Sequence, residues 1–191
     1  MHLIVGLGNP GEEYRDTRHN VGFLLVEELL RRHGGGRLRR EGGCLVARAK
    51  VDGVETLLVE PQGYMNLSGR PVAELQRRHE LTPGAILVAH DEMDLELGRV
   101  QLRRSGGTAG HRGLESVREA LGTDRFARAR LGIGRPHASV DPADYVLTTF
   151  KRSEKPAVEE MLDWAAEGVA CYVREGIEAA MNRFNRWPRV E

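Results

Sequence analysis

One segment near the start of the chain carries two side chains that can take part in proton transfer and amide hydrogen bonding. Residues 3–23 read LIVGLGNPGEEYRDTRHNVGF, a short apolar strand followed by a Gly/Pro loop and then a new apolar run. Asn9 lies near the start of that loop and His19 at its end. Loops positioned by a rigid strand often carry catalytic groups. The segment therefore offers a candidate base and a candidate amide contact at the two ends of one loop.

Two further segments offer groups of the same kind. PQGYMNLSG, residues 61–69, contains Asn66, and AHDEMDLELG, residues 89–98, contains Asp91. Because a carboxylate can hold an imidazole in one tautomer, Asp91 is a candidate to orient His19. The pattern alone does not show that the two side chains meet, and a histidine at this place could instead cap the helix that follows. The combined groups favour a hydrolase that uses a general base.

Two other chemistries are disfavoured by the residues present. The run Gly6–Gly11 matches the G-x-G-x-x-G pattern of dinucleotide sites, but Pro10 and two following glutamates occupy the place where a phosphate needs free N–H groups. Neither Cys44 nor Cys171 has an adjacent base, and the G-x-S-x-G pattern of serine hydrolases is absent from the sequence. We therefore expect neither a nucleotide cofactor nor a covalent nucleophile.

The acidic run that begins at His90 is a candidate metal site. His90, Asp91, Glu92 and Asp94 are all possible ligands. Because successive side chains of a strand point to opposite faces, His90 and Asp91 would be separated. That separation favours a metal-free site, and no cofactor is expected. A metal-dependent hydrolase remains the alternative that a chelator would eliminate.

The order of elements predicts an α/β fold: a single domain with a mixed central β-sheet flanked by helices. Asp52-Gly53 between two alternating runs predicts a hairpin. A helical C-terminal part begins at about residue 153, with Gly168 and Gly176 as the points where it can break. Predicted strands cover residues 3–7, 44–51, 54–60, 85–90, 99–104 and 128–134, and predicted helices cover 20–33, 68–80, 114–121 and 153–185.

These elements also predict where the site lies. In open α/β sheets ligands bind beyond the carboxyl ends of the strands. Asn9, Asn66 and Asp91 each follow a predicted strand directly or by a short loop. We therefore expect the three side chains to lie at one edge of the sheet.

Composition excludes several classes of protein. The chain has 191 residues, and its 28 basic and 28 acidic residues give a net charge of zero. All but three of the basic residues are arginine, whose guanidinium matches phosphate geometry, so one face can still be positive. Two cysteines without a pairing motif fit a reducing compartment. With no long apolar run or signal-like segment, we expect a cytoplasmic protein without a membrane partner.

Five ordered blocks give the chain a close resemblance to the bacterial peptidyl-tRNA hydrolase family. They are GLGNPGEEYRDTRHNVG, PQGYMNLSG, VAHDEMDLELG, SGGTAGHRGLESV and RLGIGRP, and they extend over nearly the whole sequence. The resemblance implies metal-free hydrolysis of the ester that joins a peptide to the terminal ribose of tRNA. Peptidyl-tRNA is then the expected partner, and a monomer the expected form. A non-catalytic RNA-binding protein on the same fold is the rival interpretation.

The resemblance also implies roles for individual residues. His19 would be the base, Asp91 would hold it in its basic form, and Asn9 would help to distinguish N-blocked peptidyl-tRNA from free aminoacyl-tRNA. Arg112 is a further predicted substrate-binding residue, at a position where the chain departs from the family pattern, because the family usually has Asn there. Substrate-contact positions match Tyr14, Tyr64, Met65 and Asn66, and basic positions associated with tRNA binding match Arg103 and Arg130.

Overall fold

The computed structural model describes residues 1–186, in which seven strands form one mixed sheet flanked by helices. The predicted fold class is therefore confirmed. The strands are β1 (His2–Gly6), β2 (Arg39–Glu41), β3 (Cys44–Val51), β4 (Val54–Pro61), β5 (Ile86–Glu92), β6 (Val100–Arg103) and β7 (Ala127–Gly132). The helices are α1 (Val21–His33), α2 (Gly69–Arg78), α3 (Arg112–Leu121), α4 (Pro142–Val146), α5 (Lys155–Glu175) and α6 (Ile177–Phe184).

The middle of the sheet is parallel and its two sides are antiparallel. Its order is β2-β3-β4-β1-β5-β7-β6. Strands β4, β1, β5 and β7 run parallel, whereas β2 with β3, β3 with β4 and β6 with β7 are antiparallel pairs. The carboxyl ends of β4, β1, β5 and β7 thus meet at one edge of the sheet. Asn9, Asn66 and Asp91 lie at that edge.

Helices cover both faces of the sheet, so its central strands are apolar on both sides. Along β1, Ile4 packs into the core beneath α1 and α5, whereas Leu3 and Val5 pack into the core beneath α2 and α3. This alternation follows from the two-residue period of a strand. Burial on both faces explains why β1 and β5 have continuous apolar runs rather than a polar alternation.

The predicted hairpin is confirmed between β3 and β4. Asp52 and Gly53 both have positive φ, 47° and 83°, the backbone that a tight two-residue hairpin turn requires. The C-terminal helical part breaks at Gly176, with φ of 89°, whereas Gly168 lies inside α5 against Leu102.

Besides shifts of one or two residues at other element ends, three details differ from the prediction. Strand β5 extends to Glu92, so Asp91 lies within the strand rather than after it; its pairing with β7 continues through that residue. Strand β2 and helix α4 were not predicted because three and five residues are too short for a detectable period.

In residues 1–186 no helix is long and apolar enough to cross a membrane.

Candidate active site

A cleft of about 540 Å³ opens at the carboxyl edge of the sheet. The segment from Asp141 to Leu147, which includes α4, forms part of its wall, and the loop before α3 forms another part. The structure brings seven of the predicted site residues together here: Asn9, His19, Tyr64, Met65, Asn66, Asp91 and Arg112.

Close approach of α1 to the sheet places His19 over the strand ends. A side chain on Gly22 would lie 2.6 Å from the carbonyl oxygen of Ala89 and from the backbone of Leu7. Only glycine fits such a contact, so the first turn of α1 rests directly on β1 and β5. His19 lies in the 3-10 turn Arg18–Asn20 immediately before this helix.

His19 and Asp91 meet in the cleft. The distance between His19 Nδ1 and Asp91 Oδ1 is 2.8 Å, and the carboxylate is almost fully buried whereas the imidazole is partly exposed. Because an ionised carboxylate only accepts hydrogen bonds, Nδ1 carries a proton, and in the neutral imidazole Nε2 then keeps its lone pair. The structure thus leaves one basic nitrogen of His19 for the cleft.

His111 approaches the same carboxylate oxygen, a contact that sequence reasoning missed. Its Nε2 lies 2.9 Å from Asp91 Oδ1, while its Nδ1 accepts the N–H of Leu114 at 3.3 Å as the N-cap of α3. The cap requires an unprotonated Nδ1, so the hydrogen bonds assign His111 as neutral with its proton on Nε2. The one signal in the sequence was a histidine directly before a helix that opens at Arg112.

The environment keeps Asp91 ionised. Burial by itself raises the pKa of this carboxyl, but attraction to the N–H groups of His111 and His19, which donate hydrogen bonds to it, outweighs burial. The pKa of Asp91 is therefore held below its usual range. A buried carboxylate with two N–H donors on one oxygen can orient an imidazole and balance a positive charge that forms on it.

Asn9 is fixed by its neighbours on both sides. Its backbone N–H donates to Asn20 Oδ1 at 2.8 Å, and its carbonyl oxygen accepts from Asn20 Nδ2 at 2.9 Å. Its side-chain Oδ1 accepts the backbone N–H of Met65 at 2.7 Å. With Oδ1 occupied, the Nδ2 group of Asn9 is left to donate to a ligand. Asn20 occupies the N-cap position of α1 but makes no side-chain cap bond, because its amide serves Asn9 instead.

The rim of the cleft carries exposed groups of different character. Tyr64 is 60% exposed, and Asn66 and Arg112 are exposed beside it, whereas Met65 lines the cleft from a buried position. An exposed aromatic ring can stack on an unpaired base. Tyr14 does not line the cleft; it lies in the 3-10 turn Glu12–Tyr14, where its carbonyl oxygen accepts from Thr17 Oγ1 at 2.7 Å.

A buried arginine connects the turn that carries His19 to the C-terminal wall. Arg18 donates to Glu154 Oε2 at 2.7 Å and to Thr148 Oγ1 at 3.1 Å. Its guanidinium carbon lies 4.7 Å from the ring centre of Tyr145 and 4.9 Å from that of Phe150. One set of contacts therefore holds both the wall formed by α4 and the turn that carries His19.

A second pocket, of about 290 Å³, lies beneath the glycine-rich loop next to the cleft and shares Glu92, Thr108 and Ala109 with it. Arg103 is exposed at this pocket, and Arg130 donates to Glu92 at 2.9 Å and to Gln101.

Arg128, a lining residue that the sequence did not single out as a site residue, is only 2% exposed. Its Nη1 donates to the carbonyl of Gly107, while its Nε and Nη2 have no partner among residues 1–186. Buried donors without acceptors suit an anion.

Three potential metal ligands lie together in the cleft. His19, Asp91 and His111 each offer one ligand atom, and these atoms lie within 4.8 Å of one another. Two N–H groups already donate to that oxygen, so a metal ion would have to displace both protons. His90, by contrast, faces the pocket beneath the glycine-rich loop, away from Asp91, as the alternation of a strand predicted. Burial lowers the pKa of His90 to about 3, so this imidazole is neutral.

The sheet and the cleft with its buried His–Asp pair define an α/β enzyme of the hydrolase class. The family described as peptidyl-tRNA hydrolase matches residues 3–191, and the chain belongs to that family. It is similar to the peptidyl-tRNA hydrolase of Nocardia farcinica, with 46% identity over 96% of this chain and 95% of the relative. It is 48% identical to the peptidyl-tRNA hydrolase of Thermus thermophilus, over 97% of this chain and 96% of the relative. A solved peptidyl-tRNA hydrolase structure from Acinetobacter baumannii, 36% identical, superimposes with a TM-score of 0.91 over 97% of this chain and 94% of that one.

Proposed function

We propose that His19 is the general base in the reaction of this family. The chain hydrolyses the ester between the peptide and the 3′-terminal ribose of peptidyl-tRNA and releases free tRNA. The observation that carries the assignment of the base is the 2.8 Å bond between His19 Nδ1 and Asp91 Oδ1, because in the neutral imidazole it directs the lone pair of Nε2 into the cleft.

In the proposed step, Nε2 of His19 removes a proton from a water molecule as the water oxygen attacks the ester carbonyl. The imidazolium that forms is balanced by the Asp91 carboxylate. The same proton then passes to the ribose oxygen as the carbon–oxygen bond breaks, so water and ester yield a free carboxylic acid and a free hydroxyl. A positioned base of this kind contributes roughly 10²–10⁴-fold to the rate.

Two amides are placed to contact the acyl group. The exposed Asn66 can donate to the oxyanion of the tetrahedral intermediate or to the peptide backbone. Asn9 presents its Nδ2 group from a fixed position, since its other polar atoms are bonded to Asn20 and Met65. We assign Asn9 the recognition of the N-blocked aminoacyl carbonyl, and Tyr64 and Met65 the apolar contacts. Tyr14 stays a predicted contact that the cleft does not include.

Arginines beside the cleft are the proposed tRNA contacts. Arg103 is free to reach a phosphate, whereas Arg130 is held by Glu92 and Gln101 and contributes charge from a fixed place. Arg128 supports them with its unpartnered Nε and Nη2. Contacts to phosphate hold the acceptor end without reading sequence, as a substrate pool of many tRNAs requires.

The proposed enzyme needs no metal, no cofactor and no second subunit. Water attack on an ester requires a base and oxyanion donors, and one chain supplies both. The two buried cysteines are unpaired thiols, which supports a reducing compartment, and we propose the cytoplasm as the place of action.

The decisive assay measures release of free tRNA from N-acetylated aminoacyl-tRNA, with unblocked aminoacyl-tRNA as the control substrate. We expect release from the blocked substrate alone, unchanged by excess EDTA, and lost in His19→Ala while tRNA binding persists. If His19→Ala keeps more than about a tenth of the wild-type rate, the base is another group. Binding without release by the wild-type chain would indicate the rival, a non-catalytic RNA-binding protein.

A further inference from the structure

An acidic pocket of about 240 Å³ lies on the far side of Asn9 from His19. Asn9 lines both this pocket and the catalytic cleft, so the two share a wall. The loop after β1 and the first turns of α1 form one side, and the ends of β3 and β4 form the other. The residues that carry its charge are Glu12, Arg15, Glu27 and Glu60.

Glu60 forms the buried part of the pocket. It lies near the end of β4 opposite Leu45, is only 5% exposed, and its Oε1 has no hydrogen-bond partner within residues 1–186. The nearby Gln62 amide donates to the backbone carbonyl of Glu60 and not to its carboxyl group. Burial, with a further contribution from Glu27, raises the pKa of Glu60 to about 8. A buried carboxyl group without a donor is unfavourable unless a partner is supplied.

The other charges around the pocket favour a cationic partner. Glu27 on α1 and Glu12 on the preceding turn are both exposed and negative. The one cation in the lining is Arg15, which is exposed and pairs with Glu12 at 3.6 Å. No cation of residues 1–186 forms an ion pair with Glu60. The pocket therefore has an excess of carboxyl groups and lacks N–H donors for the deepest of them.

We propose that this pocket binds a positively charged group of the peptide moiety, a lysine side chain or the N-terminal ammonium, upstream of the residue esterified to tRNA. This inference rests on the proposed function, because it requires the acyl part of the substrate to leave the cleft past Asn9. An ammonium supplies three N–H donors and a charge, which are the two features that Glu60 lacks in the free protein. On binding, Glu60 forms the ion pair and its proton is released to solvent.

The proposal predicts a preference among peptides rather than a new reaction. Peptidyl-tRNAs that place an ammonium in the pocket should have a lower KM than those that place a neutral group there. A charge-assisted hydrogen bond at a buried carboxylate corresponds to about tenfold in kcat/KM.

The test compares N-acetylated peptidyl-tRNAs that end in glycine and carry lysine, or Nε-acetyl-lysine, one or two residues upstream. A second arm compares triglycyl-tRNA with its N-acetylated form, which separates the N-terminal ammonium from the side chain. The variants are Glu60→Gln and Glu27→Gln. Glu55→Gln is the matched control, because Glu55 is an exposed residue at the other end of β4.

We expect wild type and Glu55→Gln to prefer at least one ammonium-bearing substrate by about tenfold, and Glu60→Gln to reduce that ratio to within about twofold. Glu27→Gln should reduce it in part. Equal kcat/KM for charged and neutral substrates in the wild type overturns the inference, as does an unchanged ratio in Glu60→Gln. Either result leaves the proposed function standing, since that proposal is tested by hydrolysis of N-blocked substrates and by His19→Ala.

Discussion

His111 and His19 both donate a hydrogen bond to the same carboxylate oxygen, Oδ1 of Asp91. At its other nitrogen, His111 caps helix α3. One imidazole thus joins the start of a helix to the orienting carboxylate of the proposed base. Because Nδ1 of His111 accepts the cap bond, its proton lies on Nε2, which donates to Asp91.

Replacement of His111 tests whether this connection matters for catalysis. We expect His111→Ala to lower kcat and to destabilise the fold by about 1 kcal/mol through loss of the cap. His111→Asn is the control, because Asn restores the N-cap but cannot reproduce the imidazole contact to Asp91. Unfolding by denaturant should therefore recover in His111→Asn while kcat stays low. Recovery of both quantities would show that His111 acts through the helix alone.

Asp91→Asn should lower kcat less than His19→Ala does. The amide can still accept a hydrogen bond from His19, but it no longer supplies the negative charge that balances the imidazolium. Single-turnover rates at saturating enzyme isolate this step from tRNA binding and product release. A variant as fast as the wild type would mean that Asp91 does not act through His19.

Asn9 should govern discrimination more than rate. A site built to hydrogen-bond a blocked amine leaves polar groups unpaired when another substrate binds. We therefore expect Asn9→Ala and Asn9→Asp to narrow the ratio of rates for N-acetylated and free aminoacyl-tRNA by about tenfold or more. The measurement is kcat/KM for both substrates with each variant. A constant ratio with both rates reduced would assign Asn9 a purely structural role.

Arg112 should contact the tRNA at the mouth of the cleft. It is exposed in the first turn of α3, lines the cleft, and as an arginine can donate but not accept. Arg112→Ala should raise KM with little change in kcat and should reduce the slope of log KM against log salt by about one phosphate contact. Arg118→Ala, an exposed arginine later on the same helix and outside the cleft lining, is the control. Parallel salt series with equal KM would exclude the contact.

Glu60 should make stability fall as pH rises. The pKa of Glu60 is about 8 in the folded chain and near 4.3 when unfolded, so the folded state binds the proton more tightly between these values. The stabilising contribution of protonated Glu60 is complete below its pKa in the unfolded chain and is lost as the pH rises to about 8. The free energy of unfolding falls over this range by up to about 1.4 kcal/mol per pH unit. Glu60→Gln should therefore gain stability over the wild type from pH 5 to pH 8 in denaturant titrations, unlike Glu55→Gln. A pH-independent difference would contradict the burial of an ionisable group here.

Local patterns predicted the elements that are long and regular. The hairpin at Asp52-Gly53 follows from turn chemistry, and the long helices follow from apolar spacing. The rule that ligands bind beyond the carboxyl ends of the strands correctly predicted that Asn9, Asn66 and Asp91 lie together, and they line one cleft. Short elements such as α4 have no period to detect.

Long-range contacts were beyond the reach of those patterns. The contact of His111 with Asp91 spans 20 residues and depends on how a helix start meets a strand end. Glu60 ends a predicted strand, but nothing in its local sequence shows that α1 and the loop after β1 cover it. Such contacts arise from packing between elements, which periodicity does not encode.

Backbone contacts of Thr17 and Arg18 couple the turn that carries His19 to the segment that follows α4. A backbone bridge joins Thr17 to Thr149, and the N–H of Arg18 donates to the carbonyl of Thr148 at 2.9 Å, so the turn before α1 and the strip before α5 are hydrogen-bonded directly. Local opening that frees residues 147–154 is therefore expected to release the turn that carries His19 as well. Amide hydrogens of both segments should then exchange through one shared opening equilibrium, and opening of this wall should displace the proposed base from the cleft.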